Sequence, residues 1–182
     1  YLAISALITT LSLVSFYEPI RQAIPPFQLM FEGFDRPEDR PHTLSWLWTQ
    51  FAAGFAVMLP MIWLFGQWGL ESLVVIPILI NVVGDGLAEP VGVRFGKYRY
   101  KTKALFTDKE YFRTFEGSAC VLITGFIVIA MHADYFTTVQ FVLAMLLVPT
   151  VMTLTEAYSP HTWDTPFLMF TGYISLLLVM QF

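Results

Sequence analysis

The chain has 182 residues, of which 56% are hydrophobic, 16% aromatic and 13% charged. Because soluble domains carry about 25% charged residues, this composition excludes a typical soluble enzyme and a disordered protein. The net charge of −4 lacks the basic excess of a nucleic-acid-binding protein, so we expect no nucleic-acid partner. The single cysteine, Cys120, excludes an intrachain disulfide and a multi-cysteine metal site. A polytopic membrane protein is the class that remains.

Six apolar stretches predict an all-α transmembrane helix bundle of about six spans, formed by residues 1–182 as one domain. They are Tyr1–Tyr17, Ser45–Gly66, Leu70–Gly92, Glu116–Met131, Thr137–Ala157 and Pro166–Phe182. Pro60, Pro77 and Pro149 lie inside three of them and predict kinks, which either leave gaps for a ligand or only shape the packing. The first stretch is apolar from Tyr1 onwards without a basic segment before it. We interpret it as a span whose upstream sequence is missing and not as a signal peptide.

The ten basic residues predict the orientation of the spans. Seven lie between Arg94 and Arg113, in the loop that joins spans three and four, and the other three are Arg21, Arg36 and Arg40. In a six-span protein both basic loops lie on the same side, which the positive-inside rule assigns to the cytoplasm or the stroma. We therefore expect a bacterial inner membrane or a plastid membrane such as the thylakoid.

Span three carries two stripes of residues at four-residue spacing, which places each stripe on one face of a helix. Small residues, which let a second helix backbone approach closely, form the first stripe: Gly84, Ala88, Gly92 and Gly96. The polar stripe beside it consists of Asn81, Asp85 and Glu89. A charged side chain inside the membrane costs about 2.5–3.5 kcal/mol on insertion scales, so the two carboxylates need a cation. That cation is either Arg94 or Arg113 in a structural ion pair, or a divalent metal ion.

The loop of residues 93–115 is basic and leads from the acidic stripe to Glu116 at the start of span four. Its tyrosines are interleaved with four cations, Lys97, Arg99, Lys101 and Lys103. This pattern suits anionic lipid headgroups or a bound polyanion, and the nearby carboxylates favour the polyanion. Thr107 and Glu110 have the spacing of a capping box and predict a short helix before span four.

The predicted topology brings further polar residues to the same end of the bundle. Gly117 permits close packing at the start of span four, Glu156 ends span five, and His161 and Asp164 lie in the final loop. The sequence has no GxxxxGK[ST] phosphate loop and no HExxH motif, and Ser118 lacks the GxSxG surroundings of a hydrolase nucleophile. We therefore expect one site at this membrane face, built from carboxylates and cations.

Two motifs in this region resemble those of the polyprenol kinase family, which includes phytol, farnesol and dolichol kinases. They are Gly84-Asp85-x-x-Ala88-x-x-x-Gly92-x-x-x-Gly96 and, after the basic loop, Arg113-Thr114-x-Glu116-Gly117-Ser118. The similarity covers Asn81 to Val121, with a weaker echo of the family's C-terminal region at Glu156 and Asp164. It implies a multi-span enzyme that uses CTP, or a related nucleotide, and Mg²⁺ or another divalent cation to phosphorylate an isoprenoid alcohol such as phytol.

The resemblance, together with the two stripes and the basic loop, leads us to expect roles for individual residues. Catalysis is expected from Asp85, Glu116 and Arg113, and metal binding from Asp85, Glu89 and Glu116. Nucleotide binding is expected from Lys97, Arg99, Lys101, Lys103, Thr114 and Ser118. Helix packing is expected from Gly84, Ala88, Gly92, Gly96 and Gly117, and the secondary candidates for the site are Asn81, Glu156 and Asp164.

The alternative is a non-catalytic membrane subunit of a larger complex, with its basic loop against a protein partner. Three departures from the family pattern favour it: an extra segment at Phe106–Tyr111, Thr165 in place of an asparagine, and no basic, histidine-containing segment near the N-terminus. Transport is a third option, weakened because no inverted repeat is visible. If the loop binds a nucleotide, its cations should turn inward towards Asp85 and Glu116. If it docks a partner, cations and tyrosines should turn outward together.

Overall fold

Helices form along most of the chain, which confirms the predicted all-α class apart from one added β-hairpin. The computed structural model describes residues 2–37, 39–105 and 110–182. The chain divides into two compact units, residues 1–52 and residues 53–182.

The first unit contains α1 (Leu2–Ser15), α2 (Glu18–Ala23), α3 (Pro25–Phe34) and the beginning of α4 (Thr43–Gln67). Prolines in the first turns of α2 and α3 are compatible with a helix start, because the first helical N–H groups have no partner within the helix. A small apolar cluster of Phe16, Phe31 and Leu47 is buried here, and the Arg21 guanidinium lies 3.8 Å from the centre of the Phe31 ring. The segment that the sequence suggested as a simple basic loop is therefore largely helical.

The second unit contains the rest of α4 and all elements that carry the predicted site. They are α5 (Val75–Leu79), a π-helix at Ile80–Asp85, α6 (Gly86–Phe95), β1 (Arg99–Lys103), β2 (Glu110–Thr114), α7 (Phe115–Met131), α8 (Thr138–Tyr158) and α9 (Asp164–Val179). Short 3-10 helices at Glu71–Leu73 and Ala133–Tyr135 precede α5 and α8. α7 packs against three elements: the π-helix, α6 and α8. α9 packs against α8 and α5.

Within the described residues, three helical segments are long and apolar enough to cross a membrane: Thr43–Gln67, Glu71–Phe95 and Thr138–Tyr158. Two shorter apolar helices, Phe115–Met131 and Asp164–Val179, correspond to the predicted spans four and six. The helix of the first predicted span, Leu2–Ser15, has 14 residues. The structure thus supports a membrane protein, whereas the full count of six spans stays a prediction.

The core of the second unit is a continuous apolar cluster. Val121 on α7 and Val148 on α8 are completely buried in it, together with Phe65 and Tyr173. The rings of Phe65 and Tyr173 meet edge to face at 5.3 Å, and the Tyr173 hydroxyl donates a hydrogen bond of 3.2 Å to the Val74 carbonyl. Satisfying the phenol in this way removes the cost of burying it among apolar side chains.

Span three differs from the regular, proline-kinked helix that the sequence suggested. Its helical run is α5, then the π-helix of Ile80–Asp85, then α6, with Pro77 in α5 and Pro90 in α6. A π-helix is wider than an α-helix, is rare, and often occurs at functional sites. Asn81 and Asp85 both lie within it, so the four-residue α-helical spacing does not describe their relative positions.

The basic loop contains an antiparallel β-hairpin where the sequence predicted a short helix. β1 pairs with β2 in a register that places Tyr100 opposite Arg113 and Thr102 opposite Tyr111. Thr107 lies outside the described residues, but Glu110, the other half of the predicted capping box, is the first residue of β2. The prediction was wrong because exposed and inward side chains alternate with a period of two along β1 and along β2 as far as Arg113, which is a strand pattern.

Candidate functional site

The two sequence motifs lie directly against each other in the structure. A Cβ atom on Gly84 would be 2.9 Å from the Val121 Cα, and one on Gly117 would be 2.6 Å from the Ala88 carbonyl oxygen. Real Cβ contacts are not this short, so the backbones of span three and α7 approach as closely as they do only because these positions are glycine. The sequence stripe of small residues therefore faces α7.

Thr114 is the N-cap residue of α7. It lies at the end of this contact nearest to Gly92 and Gly96. Its Oγ1 accepts a hydrogen bond of 3.0 Å from the Gly117 amide and caps the helix. A Cβ atom on Gly92 would be 2.6 Å from that same Oγ1, and one on Gly96 would also meet the Thr114 side chain. The Thr114 hydroxyl is thus used in helix capping, although the resemblance assigned it to the nucleotide.

The exposure of the side chains in the polar stripe of span three increases along the helix. Asn81 is 8% exposed, Asp85 is half-buried, and Glu89 is exposed. The buried Oδ1 of Asn81 has no hydrogen-bond partner in the structure. The exposure of these oxygen-bearing side chains therefore increases along span three, from Asn81 at the helix interface to Glu89.

Arg113 is the centre of a buried ion cluster. Its Nη1 lies 2.6 Å from Glu156 Oε1 and also donates to the Glu156 carbonyl, and its Nη2 lies 2.9 Å from Asp164 Oδ2. Burial by itself would lower the pKa of Arg113, but the charges of Asp164, Glu156 and Asp85 together raise that pKa above its usual value. The cation therefore stays ionised and ties β2 to the end of α8 and the start of α9.

This cluster changes the interpretation of Arg113. The sequence left open whether Arg113 neutralises the acidic stripe of span three, and the resemblance gave it a catalytic role. Arg113 forms ion pairs with Glu156 and Asp164, and the charge of Asp85 also attracts it. Arg113 thus positions the hairpin. The two secondary site candidates, Glu156 and Asp164, are its ion-pair partners.

Glu116 connects the beginning of the basic loop to α7. Its Oε1 accepts a hydrogen bond of 3.0 Å from the backbone amide of Lys97, and its Oε2 is buried without a hydrogen-bond partner. Among the residues that the structure describes, no three His, Cys, Asp or Glu side chains are grouped so that they could hold one metal ion. The expected set of Asp85, Glu89 and Glu116 is therefore not assembled here, because Glu116 is directed to the loop backbone.

The inner face of the hairpin packs on the helix ends. The Tyr100 hydroxyl lies 2.6 Å from Ser118 Oγ, and Thr102 Oγ1 donates a hydrogen bond of 3.2 Å to the Ser159 carbonyl. Burial raises the pKa of Tyr100 despite the opposing effect of the Ser118 hydrogen bond. Ser118, which the resemblance assigned to the nucleotide, is 6% exposed and engaged with this tyrosine.

A ring stack completes the inner face. The Tyr111 and His161 rings are stacked, with centroids 4.1 Å apart and an interplanar angle of 20°. The His161 amide also donates a hydrogen bond of 2.8 Å to the Lys103 carbonyl, which extends the hairpin pairing to the α8–α9 connection. Sequence reasoning noted His161 but assigned no function to Tyr111. The sequence Glu110-Tyr-Phe-Arg-Thr114 does not alternate between polar and apolar residues around Tyr111, so its inward orientation is seen only in the structure.

The outer face of the hairpin carries the cations. Arg99, Lys101 and Lys103 are all exposed and alternate with the inward residues of β1. Lys101 pairs with Glu110 at 2.8 Å, but both side chains are more than 60% exposed, at 64% and 63%. The expected inward orientation is therefore wrong for these three cations. The alternative of tyrosines and cations turning outward together holds for Tyr98, which is exposed, but not for Tyr100 and Tyr111, which turn inward.

Comparison of the chain with protein-family models, with curated proteins and with solved structures finds no match. The resemblance to polyprenol kinases therefore depends on the motifs between Asn81 and Val121. What the structure adds is their arrangement: two motifs, separated in sequence by a hairpin, form one interface at the end of span three and the start of α7.

Proposed function

We propose that the protein is an integral membrane kinase that transfers a phosphoryl group from CTP, or a related nucleotide, to an isoprenoid alcohol such as phytol. The observation that carries this proposal is the contact between the two motifs. Gly84 and Ala88 of the first motif touch the backbone of α7, which begins with the second motif, and Asp85 contributes to the electrostatic environment of Arg113. Residues that resemble one family's signature thus lie at one helix interface, which supports the proposal.

The location of this site suits the two substrates. An isoprenoid alcohol keeps its chain in the bilayer, whereas a nucleoside triphosphate stays in water, so the reaction requires a site at the membrane surface. Asp85 is half-buried within a predicted span and Glu89, one turn later, is exposed. Phosphoryl transfer needs mainly in-line positioning and neutralisation of phosphate charge, for which carboxylates and cations at a membrane face are sufficient.

The hard oxygen donors of span three fit a magnesium ion. Mg²⁺ is commonly held by one or two carboxylates together with substrate phosphates and water, so a complete protein cage is not needed. Asp85 and Glu89 would hold it, and the bound ion would neutralise charge on the phosphates. Asp85 is also our candidate to accept the proton of the alcohol hydroxyl, because it is a half-buried carboxylate within a predicted span.

The remaining residues divide into cations for the nucleotide and residues that position them. Lys97 is exposed next to the start of α7, where Glu116 holds its amide, and is the best-placed phosphate ligand. Arg99, Lys101 and Lys103 lie on the outer face of the hairpin, where they add a screened positive potential and make no direct contact with the nucleotide phosphates. Arg113 and Glu116 position the hairpin and the loop. In the full proposal the protein has six spans, with the loop of residues 93–115 on the cytoplasmic or stromal side of a bacterial inner membrane or a plastid membrane.

The proposal is tested by a kinase assay on purified protein in nanodiscs, with CTP, Mg²⁺ and a panel of phytol, geranylgeraniol, farnesol and dolichol. Asp85→Asn should abolish turnover while keeping the fold, because it removes a charge and little volume. The matched control is Glu71→Gln, an exposed carboxylate at the other end of the same helical run. Phosphorylation of no alcohol, or full activity of the Asp85→Asn variant, would contradict the proposal.

A non-catalytic membrane subunit is the second candidate. The exposed outer face of the hairpin favours it, since Arg99, Lys101 and Lys103 project away from the side that packs on the helices. In that case the cations would contact a protein partner, and purified protein would show no turnover with any member of the alcohol panel.

A further inference from the structure

A rim of aromatic and basic side chains lies where span three ends and α7 begins. Its members are all exposed, and we call them together the basic rim: Arg94, Phe95, Tyr98, Arg99 and Phe115. Phe95, Tyr98 and Phe115 are 60%, 71% and 64% exposed. The Phe115 amide donates a hydrogen bond of 3.1 Å to the Tyr98 carbonyl, so the two ends of the loop meet here. A group of exposed large apolar rings of this kind marks an interaction surface.

The basic rim continues the outward side of a helical run that is long enough to cross a membrane. That run, Glu71–Phe95, ends inside the rim. Within α6, Leu87 is exposed, and Arg94 follows it by seven residues, which is about two turns and brings both to the same side of the helix. The outward side of span three is therefore apolar at Leu87 and ends in a cation about 10 Å further along the helix axis.

The charges of this region select an anionic occupant. No acidic residue occurs in the sequence between Glu89 and Asp108, a stretch that holds five cations: Arg94, Lys97, Arg99, Lys101 and Lys103. Glu89 precedes Arg94 by five residues, which places the two about 140° apart around the helix. Glu116, at the start of α7, is directed to the Lys97 amide. The side of span three that carries Arg94 is therefore positively charged.

We infer that the basic rim binds the headgroups of anionic phospholipids, with Arg94 and Arg99 on the lipid phosphates. The aromatic rings of the rim then lie between the headgroups and the acyl chains, where such rings accumulate in membrane proteins. The Arg94 guanidinium lies 5.6 Å from the centre of the Phe95 ring, so a cation and a ring occupy the same level. Lipid is favoured over a protein partner because the rim continues the outward side of a potential membrane span. The inference does not depend on the proposed kinase activity.

The test is native mass spectrometry of the purified protein in detergent, titrated with phosphatidylglycerol or with phosphatidylcholine of identical acyl chains. Phosphatidylglycerol should bind several-fold more tightly. The double variant Arg94→Gln with Arg99→Gln should lose most of this preference, and Arg94→Lys with Arg99→Lys should retain most of it, because the charges remain. Equal affinity of the wild type for the two lipids would overturn the inference and leave the rim to a protein partner.

Matched variants make the test specific to the rim. Lys101→Gln with Lys103→Gln removes two cations of the same loop from the outer face of the hairpin and should change the preference by less than about twofold. A loss as large as that of the arginine variant would show a diffuse attraction and overturn the rim as the site.

The aromatic part of the rim is tested separately. Tyr98→Ser should weaken the binding of both lipids, whereas Tyr135→Ser, an exposed tyrosine beyond the other end of α7, should not. Unchanged binding by Tyr98→Ser would contradict the insertion of the rings. Displacement of phosphatidylglycerol by CTP with Mg²⁺ would assign the rim to the nucleotide and likewise overturn the inference.

Discussion

The Arg113 guanidinium and the Glu156 carboxylate form an ion pair of 2.6 Å, although the two residues are 43 positions apart in the chain. Their side chains are only 10% and 4% exposed. Together with Asp164, which binds the other terminal nitrogen of Arg113, the pair joins the β-hairpin to the ends of two helices. The hairpin is thus held by charged groups at its base and by tyrosine contacts along its inner face.

Removing the cation of this cluster should destabilise the fold strongly. Arg113→Met leaves two largely buried carboxylates without their counter-charge, which typically costs about 3–5 kcal/mol in proteins. Thermal unfolding in detergent micelles, followed by tryptophan fluorescence, measures the effect. Lys101→Met is the control, because its exposed ion pair with Glu110 contributes about 0–1 kcal/mol. A double variant, Arg113→Met with Glu156→Gln, should recover part of the loss, and equal stability of Arg113→Met and the wild type would refute the role of the cluster.

Two glycines only two positions apart should respond in opposite ways to alanine. Gly84→Ala places a Cβ atom 2.9 Å from the Val121 backbone, so span three and α7 must separate and the melting temperature should fall. Gly86→Ala meets nothing within 4 Å and should be neutral or stabilising by up to about 1 kcal/mol through helix propensity. The measurement is the midpoint of thermal unfolding for both variants. Similar midpoints would show that the close helix contact does not limit stability.

The outward cations of the hairpin should have little influence on nucleotide affinity. Replacing Lys101 and Lys103 together by alanine should leave the KM for CTP within about twofold, since exposed charges are screened over roughly 8 Å at physiological salt. Lys97→Ala, next to the start of α7, should raise that KM and change kcat less, as expected for an interaction that binds substrate and transition state equally. If the KM for CTP rises strongly in the double variant but not in Lys97→Ala, the hairpin must reorient on nucleotide binding so that Lys101 and Lys103 face the phosphates.

The stability of the hairpin should decrease at high pH because of Tyr100. Burial raises the pKa of this phenol in the folded protein, so folding favours its neutral form. The contribution to stability is complete below the unfolded pKa of about 10 and is lost as pH rises through the higher folded value. Thermal unfolding of the wild type between pH 8 and pH 11 should therefore show a decline that is smaller in Tyr100→Phe. Tyr98→Phe, whose ring is exposed, should behave like the wild type.

Much of the helical architecture could be predicted from the lengths of the apolar stretches and from capping residues at helix ends. Span two, predicted at Ser45–Gly66, is the helix Thr43–Gln67, and span five, predicted at Thr137–Ala157, is the helix Thr138–Tyr158. In span five Thr137 and Gln140 form a capping box, a local signal that a sequence shows directly. The stripe of small residues also has a local origin, since four-residue spacing puts glycines on one face.

The π-helix and the hairpin were not predicted. A π-helix depends on how span three packs, with Gly84 against Val121, and not on a residue pattern alone. In the basic loop, the capping-box spacing of Thr107 and Glu110 competed with the alternation of the two strands. Cross-strand pairing favours the strands, because it joins Tyr100 to Arg113 and buries both on the helix ends.

The sequence by itself determined the class of protein, the apolar helices and the two motifs, because each follows from composition or from neighbours within a few residues. Only the tertiary structure decided which charges meet. From the sequence, several carboxylates were possible partners of Arg113. The partners it binds, Glu156 and Asp164, follow it by 43 and 51 positions. Strand alternation directs its guanidinium inward, where α8 ends and α9 begins, and directs Lys101 and Lys103 away. Such pairings depend on distances between remote segments, and these distances exist only once the helices have packed.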